Sequence, residues 1–502
     1  MPFSDYSDTI FMQIAINHAW KFQTLTLPNP AVGALILFKN TIIALEVHFK
    51  AGFPHAEVLA CKQAFITLAK NDKQSQQKIL QTLSDSNDIG KINQVSNSTQ
   101  GYLENFSDDT LLKSSKNLLK DSPQRQLENL IQTLEHIHDS HAIHDFITTY
   151  HSGIFYQCDF FVTLEPCNHY GRTPPCANLL KTIKPKRIVI GHKDINNKAQ
   201  GGSKTLQHIH LTQHILESQA KVLLYPFLQY YKKKSFLLFK VAHRLNGDYK
   251  NGQISNQDSR ILTHNMRCIA DNIIISGKTL REDNPLLDTR FAQDIYKQNS
   301  KLPTIYILTK TMQKKDIEKY RISNRKVFII KSITDIPKHG FSVIEGGFEF
   351  LTSILQEIKQ LQETQQSCLN IDCILGYIAP NFLSNNLCIH AMNSPVQNDK
   401  KDIAEQNHLN KFDKNNNIYD NEILTDFYLA YTQSLENSLH DPTIQDSNNI
   451  LCFQSFFKEY SKESLKNNAS LPQNIKTQKL DRNVDSKANI IYWLFRKIVY
   501  DK

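Results

Sequence analysis

The stretch that decides the fold is CDFFVTLEPCNHYGRTPPC, residues 158–176. Its first nine residues are mostly apolar or β-branched and end at Pro166, a pattern that predicts a strand ending at a proline. Two cysteines follow, Cys167 directly after the strand and Cys176 nine positions later. Thiolates are soft metal ligands, so this segment predicts a metal site at the end of a strand.

A third candidate ligand, His55, lies in the triplet His-Ala-Glu at residues 55–57, where a second helix is predicted to begin. One imidazole and two thiolates hold Zn²⁺ and leave a fourth tetrahedral position open for water. Glu57 can take a proton from that water and deliver it to a leaving amine, as in zinc-dependent base deaminases with H-x-E and P-C signatures. The catalytic residue predicted is Glu57, and the predicted zinc ligands are His55, Cys167 and Cys176.

Each part of this pattern also has a simpler explanation. An isolated His-x-Glu is usually a surface feature, and two cysteines nine residues apart are compatible with buried thiols or half of a structural zinc site. The combination of a helix-initial His-Ala-Glu with a strand that ends in Glu-Pro-Cys favours the catalytic site.

Strands and helices alternate on both sides of this segment. Residues 11–20 predict an amphipathic helix, 31–38 and 41–47 predict two strands across a short turn, and 186–191 predict another strand. Beyond a junction near residues 225–234, five further strands are predicted, at residues 235–242, 271–277, 303–309, 325–331 and 341–347. The sequence therefore predicts two α/β domains, residues 1–225 and 235–502.

Two long polar segments interrupt this pattern. Residues 70–153 and 383–485 are rich in Asn, Gln, Ser, Lys and Asp, and we interpret them as insertions, the second poorly ordered. Helical periodicity returns at residues 126–147, one further helix is predicted near 427–435, and a last strand is predicted at 489–496.

The motifs resemble the deaminase half of the bifunctional riboflavin-biosynthesis deaminase/reductases. The resemblance rests on the cysteine segment, on PNPAVG at 28–33, on HFKAGFPHAE at 48–57 and on DINN at 194–197, where Ile195 and Asn197 replace two family prolines. It implies a cytidine-deaminase-like three-layer α/β/α domain and zinc-dependent replacement of the 2-amino group of a diaminopyrimidinone ribosylamine phosphate. The substrate residues that it implies are Asn29, His48, His169, Arg172, Asp194 and Asn196. Arg172 suits a phosphate because its guanidinium donates paired hydrogen bonds.

The second half resembles the reductase of the same family, over KVAHRLNGD (240–248), GKTLREDNPLLDTR (277–290), IEGG (344–347) and YIAP (377–380). This implies a dihydrofolate-reductase-like α/β domain that uses NADPH to reduce the ribosyl group to ribityl. The implied substrate residues are Arg267, Leu287, Arg290 and Glu345, and the implied cofactor residues are Thr279, Asp283, Gly346, Gly347 and Phe348. Glycines between a strand and a helix let backbone N–H groups approach a pyrophosphate, although a Gly-Gly pair alone is usually an ordinary turn.

This half also departs from the family pattern. Arg244 and Asn246 replace a serine and an aspartate, and Gln253 stands in a segment that lacks the family's tryptophan. The protein chiefly positions a hydride-donating cofactor, so these changes are compatible with an active reductase. A weakened or purely structural second domain is the alternative.

Three histidines, His138, His141 and His144, recur every three residues in the first polar segment. They are compatible with a second metal site, but no clear carboxylate or thiol partner accompanies them. We interpret them as a solvated helix face.

Composition limits the classes of function. The chain has 502 residues, 40% hydrophobic and 21% charged, and a net charge of +9 that suits anionic ligands. Nine cysteines, an odd number, do not suggest a secreted disulfide framework, and no run of 18 uncharged apolar residues occurs. We expect a cytoplasmic protein without membrane or nucleic-acid partners, and a homo-oligomer is compatible with the sequence.

Three rival interpretations remain open. The chain is also compatible with a deaminase that carries a degenerate reductase domain, and with a nucleic-acid base deaminase, which shares the His-x-Glu and Pro-Cys chemistry. A zinc-stabilised nucleic-acid-binding protein is the rival outside enzymes. The long cysteine spacing and the reductase-like half argue against the base deaminase, and no basic patches interleaved with aromatics favour the binding protein.

Overall fold

Segments rich in isoleucine, leucine, valine and phenylalanine form two β-sheets in the computed structural model of the chain. The structure describes residues 3–85, 122–196, 199–244, 249, 254–298, 300–364, 370–379, 449–455 and 490–496. The first sheet has five strands, β1 to β5, and the second has eight, β6 to β13. Both sheets carry helices, which confirms the predicted α/β class.

The elements of the first half follow one another in the order the sequence analysis predicts. Its strands are β1 (Gly33–Phe38), β2 (Thr41–Val47), β3 (Cys158–Leu164), β4 (Arg187–His192) and β5 (His210–Thr212). Its helices are α1 (Phe3–Trp20), α2 (Ala56–Asn71), α3 (Lys73–Asp85), α4 (Pro123–His136), α5 (Ser140–Tyr150), α6 (Cys176–Ile183), α7 (Gly202–Thr205) and α8 (Glu217–Leu223). A 3₁₀ turn, Ile154–Gln157, leads into β3.

The first sheet has the strand order β2-β1-β3-β4-β5, with β1 antiparallel to both β2 and β3 and the rest parallel. Side chains alternate across it, so Leu35 faces a layer that contains α1, and Ile36 faces a layer that contains α2. Asp8 of α1 accepts two hydrogen bonds from Arg187 of β4, both at 2.7 Å. The result is the expected α/β/α arrangement.

The first predicted insertion, residues 70–153, contains more packed structure than its polar composition indicates. Helices α3, α4 and α5 lie there, and their apolar faces join the core beside α2, as the burial of Ile79, Leu134, Ile143 and Phe146 shows. The periodicity at 126–147 is confirmed as two helices rather than one, since the chain is extended at Ile137. Their polar faces, which dilute the composition, lie outside this core. The insertion itself stays a prediction.

The second half begins after helix α9 (Tyr225–Lys233), which occupies the predicted junction. Its strands are β6 (Ser235–Arg244), β7 (Asn272–Ser276), β8 (Thr304–Leu308), β9 (Val327–Ile330), β10 (Gly340–Glu345), β11 (Cys373–Ala379), β12 (Asn449–Ser455) and β13 (Ile490–Arg496). Its helices are α10 (Gln257–Ile269), α11 (Gly277–Asp283), α12 (Asp294–Lys297) and α13 (Phe348–Glu363), with 3₁₀ turns at Lys314–Lys319 and Ile333–Asp335. All five predicted strands are present.

The second sheet has the order β12-β13-β11-β6-β10-β7-β8-β9. The strands in the run β11-β6-β10-β7-β8-β9 pair in parallel with their neighbours, and β13 pairs antiparallel with β11. The predicted last strand is therefore confirmed. The prediction of poor order across 383–485 is wrong at residues 449–455, which pair with β13 as β12. The helix predicted near 427–435 lies outside the described residues.

One buried cluster joins the two halves. It contains Leu35 and Phe161 from the first sheet together with Phe236 and Phe341 from the second. Tyr296, which is 1% exposed, lies in the same cluster and donates a hydrogen bond from its hydroxyl to the Phe49 carbonyl at 2.8 Å. The two sheets therefore share part of their core.

The described residues include cysteines and helices that bear on disulfide bonds and on membrane crossing. Six cysteines are free thiols, namely Cys61, Cys158, Cys167, Cys176, Cys268 and Cys373. No helix in the described part of the chain has both the length and the hydrophobicity that a bilayer crossing needs.

We predict that Tyr296→Phe lowers the free energy of unfolding by about 1–2 kcal/mol, because it leaves the Phe49 carbonyl without its partner in a buried place. Urea denaturation measures the change. The matched control is Tyr306→Phe, because the Tyr306 ring stacks on Phe328 and its hydroxyl has no protein partner within the described ranges. Equal losses in both variants would contradict the role of this contact.

Candidate metal centre and active site

Three potential metal ligands meet where one strand ends and two helices begin. His55 is the residue before α2, Cys167 follows β3, and Cys176 is the first residue of α6. The His55 Nδ1 atom lies 3.6 Å from the Cys167 Sγ atom and 3.4 Å from the Cys176 Sγ atom. All three ligand atoms lie within 4.8 Å of one another. The predicted zinc ligands are thus brought together.

These distances fit a tetrahedral ion. With Zn–S bonds of about 2.3 Å and a Zn–N bond of about 2.0 Å, tetrahedral geometry separates sulfur from nitrogen by about 3.5 Å. Among the described residues, no fourth His, Cys, Asp or Glu joins the cluster. Zn²⁺ held by His55, Cys167 and Cys176 would therefore keep one position free, as catalytic zinc sites do.

The surroundings of Cys167 favour its thiolate. The neighbouring Cys176 thiol, together with a hydrogen bond from His55, holds the pKa of Cys167 below its usual range despite burial. The backbone N–H of Cys176, at the start of α6, also donates to the Cys167 sulfur at 3.4 Å. A helix N-terminus stabilises a thiolate, and the thiolate is the form that binds a metal.

Glu57 lies in the first turn of α2, two residues beyond His55, and is 4% exposed. Burial raises the pKa of its carboxyl group to about 7, although the nearby His55 opposes the rise. A carboxyl group that exchanges its proton near neutral pH suits general acid–base catalysis. The side chain lines the same cavity as His55.

The cavity beside the cluster has a volume of about 370 Å³, within the range for small-molecule sites. All six substrate residues predicted for the first half line it, together with the predicted catalytic residue and two of the predicted metal ligands. These residues are Asn29, His48, His55, Glu57, Cys167, His169, Arg172, Asp194 and Asn196. Cys176 joins the site through the metal cluster.

His48 and Asn29 form a fixed pair at one wall. The His48 Nδ1 atom lies 3.0 Å from the Pro54 carbonyl, so it must carry the proton, and the Nε2 atom then accepts from the Asn29 amide at 3.0 Å. Burial lowers the pKa of His48 to about 3 and keeps the ring neutral. This network orients the Asn29 amide at the cavity wall.

Sequence reasoning missed several residues at this site. Glu165 is 3% exposed and accepts from the backbone N–H groups of Asp194, at 3.2 Å, and Ser203, at 2.9 Å. It thereby holds the turn that carries Asp194 and Asn196. Its place before Pro166 in the quoted motif was a usable signal. Phe227 and Tyr231 of α9 also line the cavity, and no motif marks them.

In the second half, the predicted substrate residues gather around one ion pair. Arg267 donates to both carboxylate oxygens of Glu345, at 2.8 and 2.7 Å, and also to the Asp288 carbonyl at 3.0 Å. Burial opposes the charge of Glu345, but Arg267 outweighs it and holds the pKa of Glu345 at about 2. Arg290 forms an ion pair with the Asp288 carboxylate at 2.8 Å. Leu287, the residue before Asp288, is buried.

The predicted cofactor residues other than Asp283 lie near two helix starts. Thr279 is in the first turn of α11, where its backbone N–H donates to Ser276, and Gly347 precedes α13, whose first residue is Phe348. Lys278 and Glu349 form an ion pair at 2.6 Å, so the two helix starts are neighbours. They follow adjacent parallel strands, β7 and β10. Backbone N–H groups at such an edge fit a pyrophosphate.

The remaining predicted positions of the second half are Asp283, the two glycines before α13, and the three departures from the family pattern. Asp283 is the last residue of α11, and burial raises the pKa of its carboxyl group. A Cβ atom on Gly346 would overlap the Phe350 side chain, and one on Gly347 would overlap the Tyr249 side chain, so a larger residue at either position would force that ring to move. Arg244 is buried at the end of β6. Asn246 and Gln253 lie outside the described residues.

Comparison with known proteins identifies the relatives. No protein-family model matches the chain. The riboflavin biosynthesis protein RibD of Aquifex aeolicus is 24% identical over 418 residues, with 76% of this chain and 89% of that protein covered. The match covers 76% of the chain, and neither residues 1–225 nor residues 235–502 alone make up that share. The match therefore extends into both halves. The chain is a relative of the RibD proteins.

Other RibD proteins give similar matches. The RibD of Haemophilus influenzae is 24% identical over 414 residues, covering 76% of this chain and 87% of that protein. The RibD of Mycobacterium tuberculosis H37Rv is 32% identical over 140 residues, or 26% of this chain and 41% of that protein. A solved deaminase/reductase from Thermotoga maritima shares 20% identity and a TM-score of 0.40 over 76% of this chain and 88% of its own. The resemblance to this family is confirmed.

We predict that Cys176→Ser lowers zinc affinity by at least about a hundredfold, because it removes one of three protein ligands. Zinc content after dialysis, measured by mass spectrometry, reports the loss. Cys61→Ser is the matched control, since Cys61 is also a buried thiol of the same half but lies outside the metal cluster. Zinc retained equally by both variants would contradict the assignment.

We predict that Glu345→Gln lowers the free energy of unfolding by about 3–5 kcal/mol, because it leaves the Arg267 charge buried with its carboxylate partner removed. Both side chains of this pair are 12% exposed. The control is Glu349→Gln, whose pair with Lys278 is half-exposed, and we expect less than about 1 kcal/mol there. Urea denaturation distinguishes the two, and equal small losses would show that the pair is not structural.

Proposed function

We propose that the chain is a bifunctional enzyme of riboflavin biosynthesis. In this proposal the first half deaminates 2,5-diamino-6-ribosylamino-4(3H)-pyrimidinone 5′-phosphate with zinc, and the second half reduces the ribosyl group to ribityl with NADPH. The observation that carries the proposal is the three-ligand cluster with Glu57 beside it in one cavity. The RibD relatives, whose name concerns riboflavin biosynthesis, support the pathway.

In the deaminase half, bound Zn²⁺ would supply the Lewis acid that lowers the pKa of a water molecule. His55, Cys167 and Cys176 would hold it. Glu57 would accept the proton of that water at its carboxylate and pass it to the leaving amino group, a task that its pKa of about 7 suits. The burial of Glu57 keeps bulk water from competing for the proton.

Substrate orientation in this half falls to the cavity wall. The Asn29 amide, held by neutral His48, and the backbone turn at Asp194 and Asn196, held by Glu165, offer fixed polar groups to a pyrimidine. Arg172 is exposed at the rim and carries the charge for a phosphate. Fixed polar groups lower the barrier because the reacting atoms need less reorganisation.

In the reductase half, NADPH would supply the hydride. The neighbouring starts of α11 and α13 would bind its pyrophosphate, with Thr279, Gly346 and Gly347 nearest to it and Asp283 and Phe348 beside them. The charge of Arg267 is balanced by Glu345, whereas Arg290 is half-exposed and, within the described residues, forms its ion pair with Asp288 of the same loop. Arg290 is therefore the better phosphate partner, while Arg267 and Leu287 shape the site.

The proposal also covers the cellular compartment and the alternative functions. Free thiols in the described part of the chain support a reducing compartment such as the cytoplasm. Arg244, buried at the end of β6 where the family has a serine, favours the alternative of a weakened reductase. The match to RibD proteins across both halves argues against a nucleic-acid base deaminase and against a zinc-stabilised nucleic-acid-binding protein.

We predict that Glu57→Gln retains zinc but lowers ammonia release by about a thousandfold, because the amide cannot move the proton. Ammonia release and NADPH oxidation are followed separately with the diaminopyrimidinone ribosylamine phosphate. Glu57→Gln should still oxidise NADPH when the deaminated product is supplied. Glu46→Gln is the matched control, since burial also raises the pKa of Glu46 to about 7 and the side chain lies outside the cavity.

Each outcome separates one part of the proposal. Absence of ammonia from the zinc-loaded wild type would disprove the deaminase. Ammonia without NADPH oxidation, after the deaminated product has accumulated, would show a degenerate reductase. Loss of ammonia release in Glu46→Gln as large as in Glu57→Gln would remove Glu57 from its catalytic role.

A further inference from the structure

Helix α5 (Ser140–Tyr150) presents a histidine to the segment that separates the two cysteine ligands. The His141 Nε2 atom lies 3.1 Å from the carbonyl oxygen of Arg172, and the His141 ring lies 6.3 Å from the Tyr170 ring. A carbonyl only accepts hydrogen bonds, so the His141 Nε2 atom carries the proton and donates it. The sequence-based interpretation of a solvated histidine face does not include this contact, which His141 makes from a half-buried position.

A second histidine of α5 touches the same segment three residues later. His144 lies near the Pro175 carbonyl, and its Nε2 atom is buried with no hydrogen-bond partner among the described residues. The two histidines share one face of α5, as the spacing of three residues requires. His138 precedes the helix and is not part of this face.

Helix α5 is firmly attached to the core beside the metal cluster. Ile143 and Ile147 are fully buried, and the Phe146 ring packs edge-on against Phe65 of α2 at 5.7 Å. Asp139 caps the helix by accepting from the Ala142 N–H at 2.9 Å. Helix α2 begins directly after His55, so α5 packs against the helix whose start positions this predicted metal ligand.

The segment between the cysteines needs such an attachment at Arg172. Tyr170 is 70% exposed, and within the segment the Gly171 N–H bonds locally to the Thr173 carbonyl at 3.3 Å. The Arg172 side chain lines the cavity, while its carbonyl is the atom that His141 holds. A fixed backbone narrows the range of positions that a long, exposed guanidinium can reach.

We propose that His141 is a positioning residue that directs Arg172 toward the phosphate of the substrate. Helix α5, part of the segment predicted as an insertion, thereby acts as a support for the loop that carries Cys167 and Cys176. This inference rests on the proposed deaminase function. It assigns to the insertion a role in recognising a phosphorylated, rather than an unphosphorylated, ribosylamine.

The test uses the full-length, zinc-loaded protein and compares His141→Leu, His141→Gln and His136→Leu. Ammonia release is measured with the phosphorylated substrate and with its dephosphorylated form, alongside zinc content. His141→Gln is the conservative variant, because a glutamine side chain keeps an N–H donor of similar reach. His136 is the control because it is exposed and its hydrogen bond is made within its own helix, to the Gln132 carbonyl.

We expect His141→Leu to raise the KM for the phosphorylated substrate by about five- to tenfold, the size of one lost hydrogen bond, with kcat and zinc content unchanged. His141→Gln should restore most of the KM, and His136→Leu should match the wild type. With the dephosphorylated substrate, wild type and His141→Leu should have equal kcat/KM.

Three results would overturn the inference. These are a KM within twofold of the wild type in His141→Leu, an equal loss with both substrates, or zinc loss in that variant, which would make the residue a general support. A wild type that releases no ammonia would instead disprove the proposed function, and the inference with it.

Discussion

The constraint on which the rest of the structure depends is the meeting of one imidazole and two thiols within 4.8 Å. The two cysteines lie 112 and 121 positions from His55 in the chain, so long stretches must fold before the three groups meet. The end of β3 and the starts of α2 and α6 must reach the same place. The layered packing on both faces of the first sheet sets the positions of these three elements, because buried helices cannot slide without opening cavities.

The second sheet adds a different constraint, because its core merges with that of the first. Lys50, in the loop that leads from His48 to His55, donates to the carbonyls of Ile295 at 2.6 Å and Gln298 at 3.0 Å. Tyr296 between them donates to Phe49. A loop that lines the first cavity is thus attached to the second half. The two candidate sites belong to one packed body rather than to two modules that are joined only by a linker.

Much of the fold and site could be predicted because local patterns carried the information. The strand at residues 41–47 and the helix that starts near His55 follow from their local apolar patterns, and the structure has β2 at Thr41–Val47 and α2 from Ala56. The metal and cavity residues could be predicted because their motifs are short and chemically restricted. The order of strands in each sheet could not, since pairing depends on contacts far apart in sequence.

Where sequence reasoning failed, long-range packing decided. Helices α4 and α5 bury one narrow apolar stripe each, and their polar surroundings hid it from a composition argument. His141 looked solvated because its partner, the Arg172 carbonyl, is 31 residues away. Phe227 and Tyr231 reach the cavity from a helix that belongs to neither motif. None of these contacts has a local signature.

Zinc K-edge X-ray absorption on the purified protein tests the central claim most directly. We predict one zinc per chain with two sulfur neighbours at about 2.3 Å and two nitrogen or oxygen neighbours at about 2.0 Å, one from His55 and one from water. Three or four sulfur neighbours would indicate a closed structural site. Either that result or a protein that retains no zinc would contradict a catalytic zinc site with one open position.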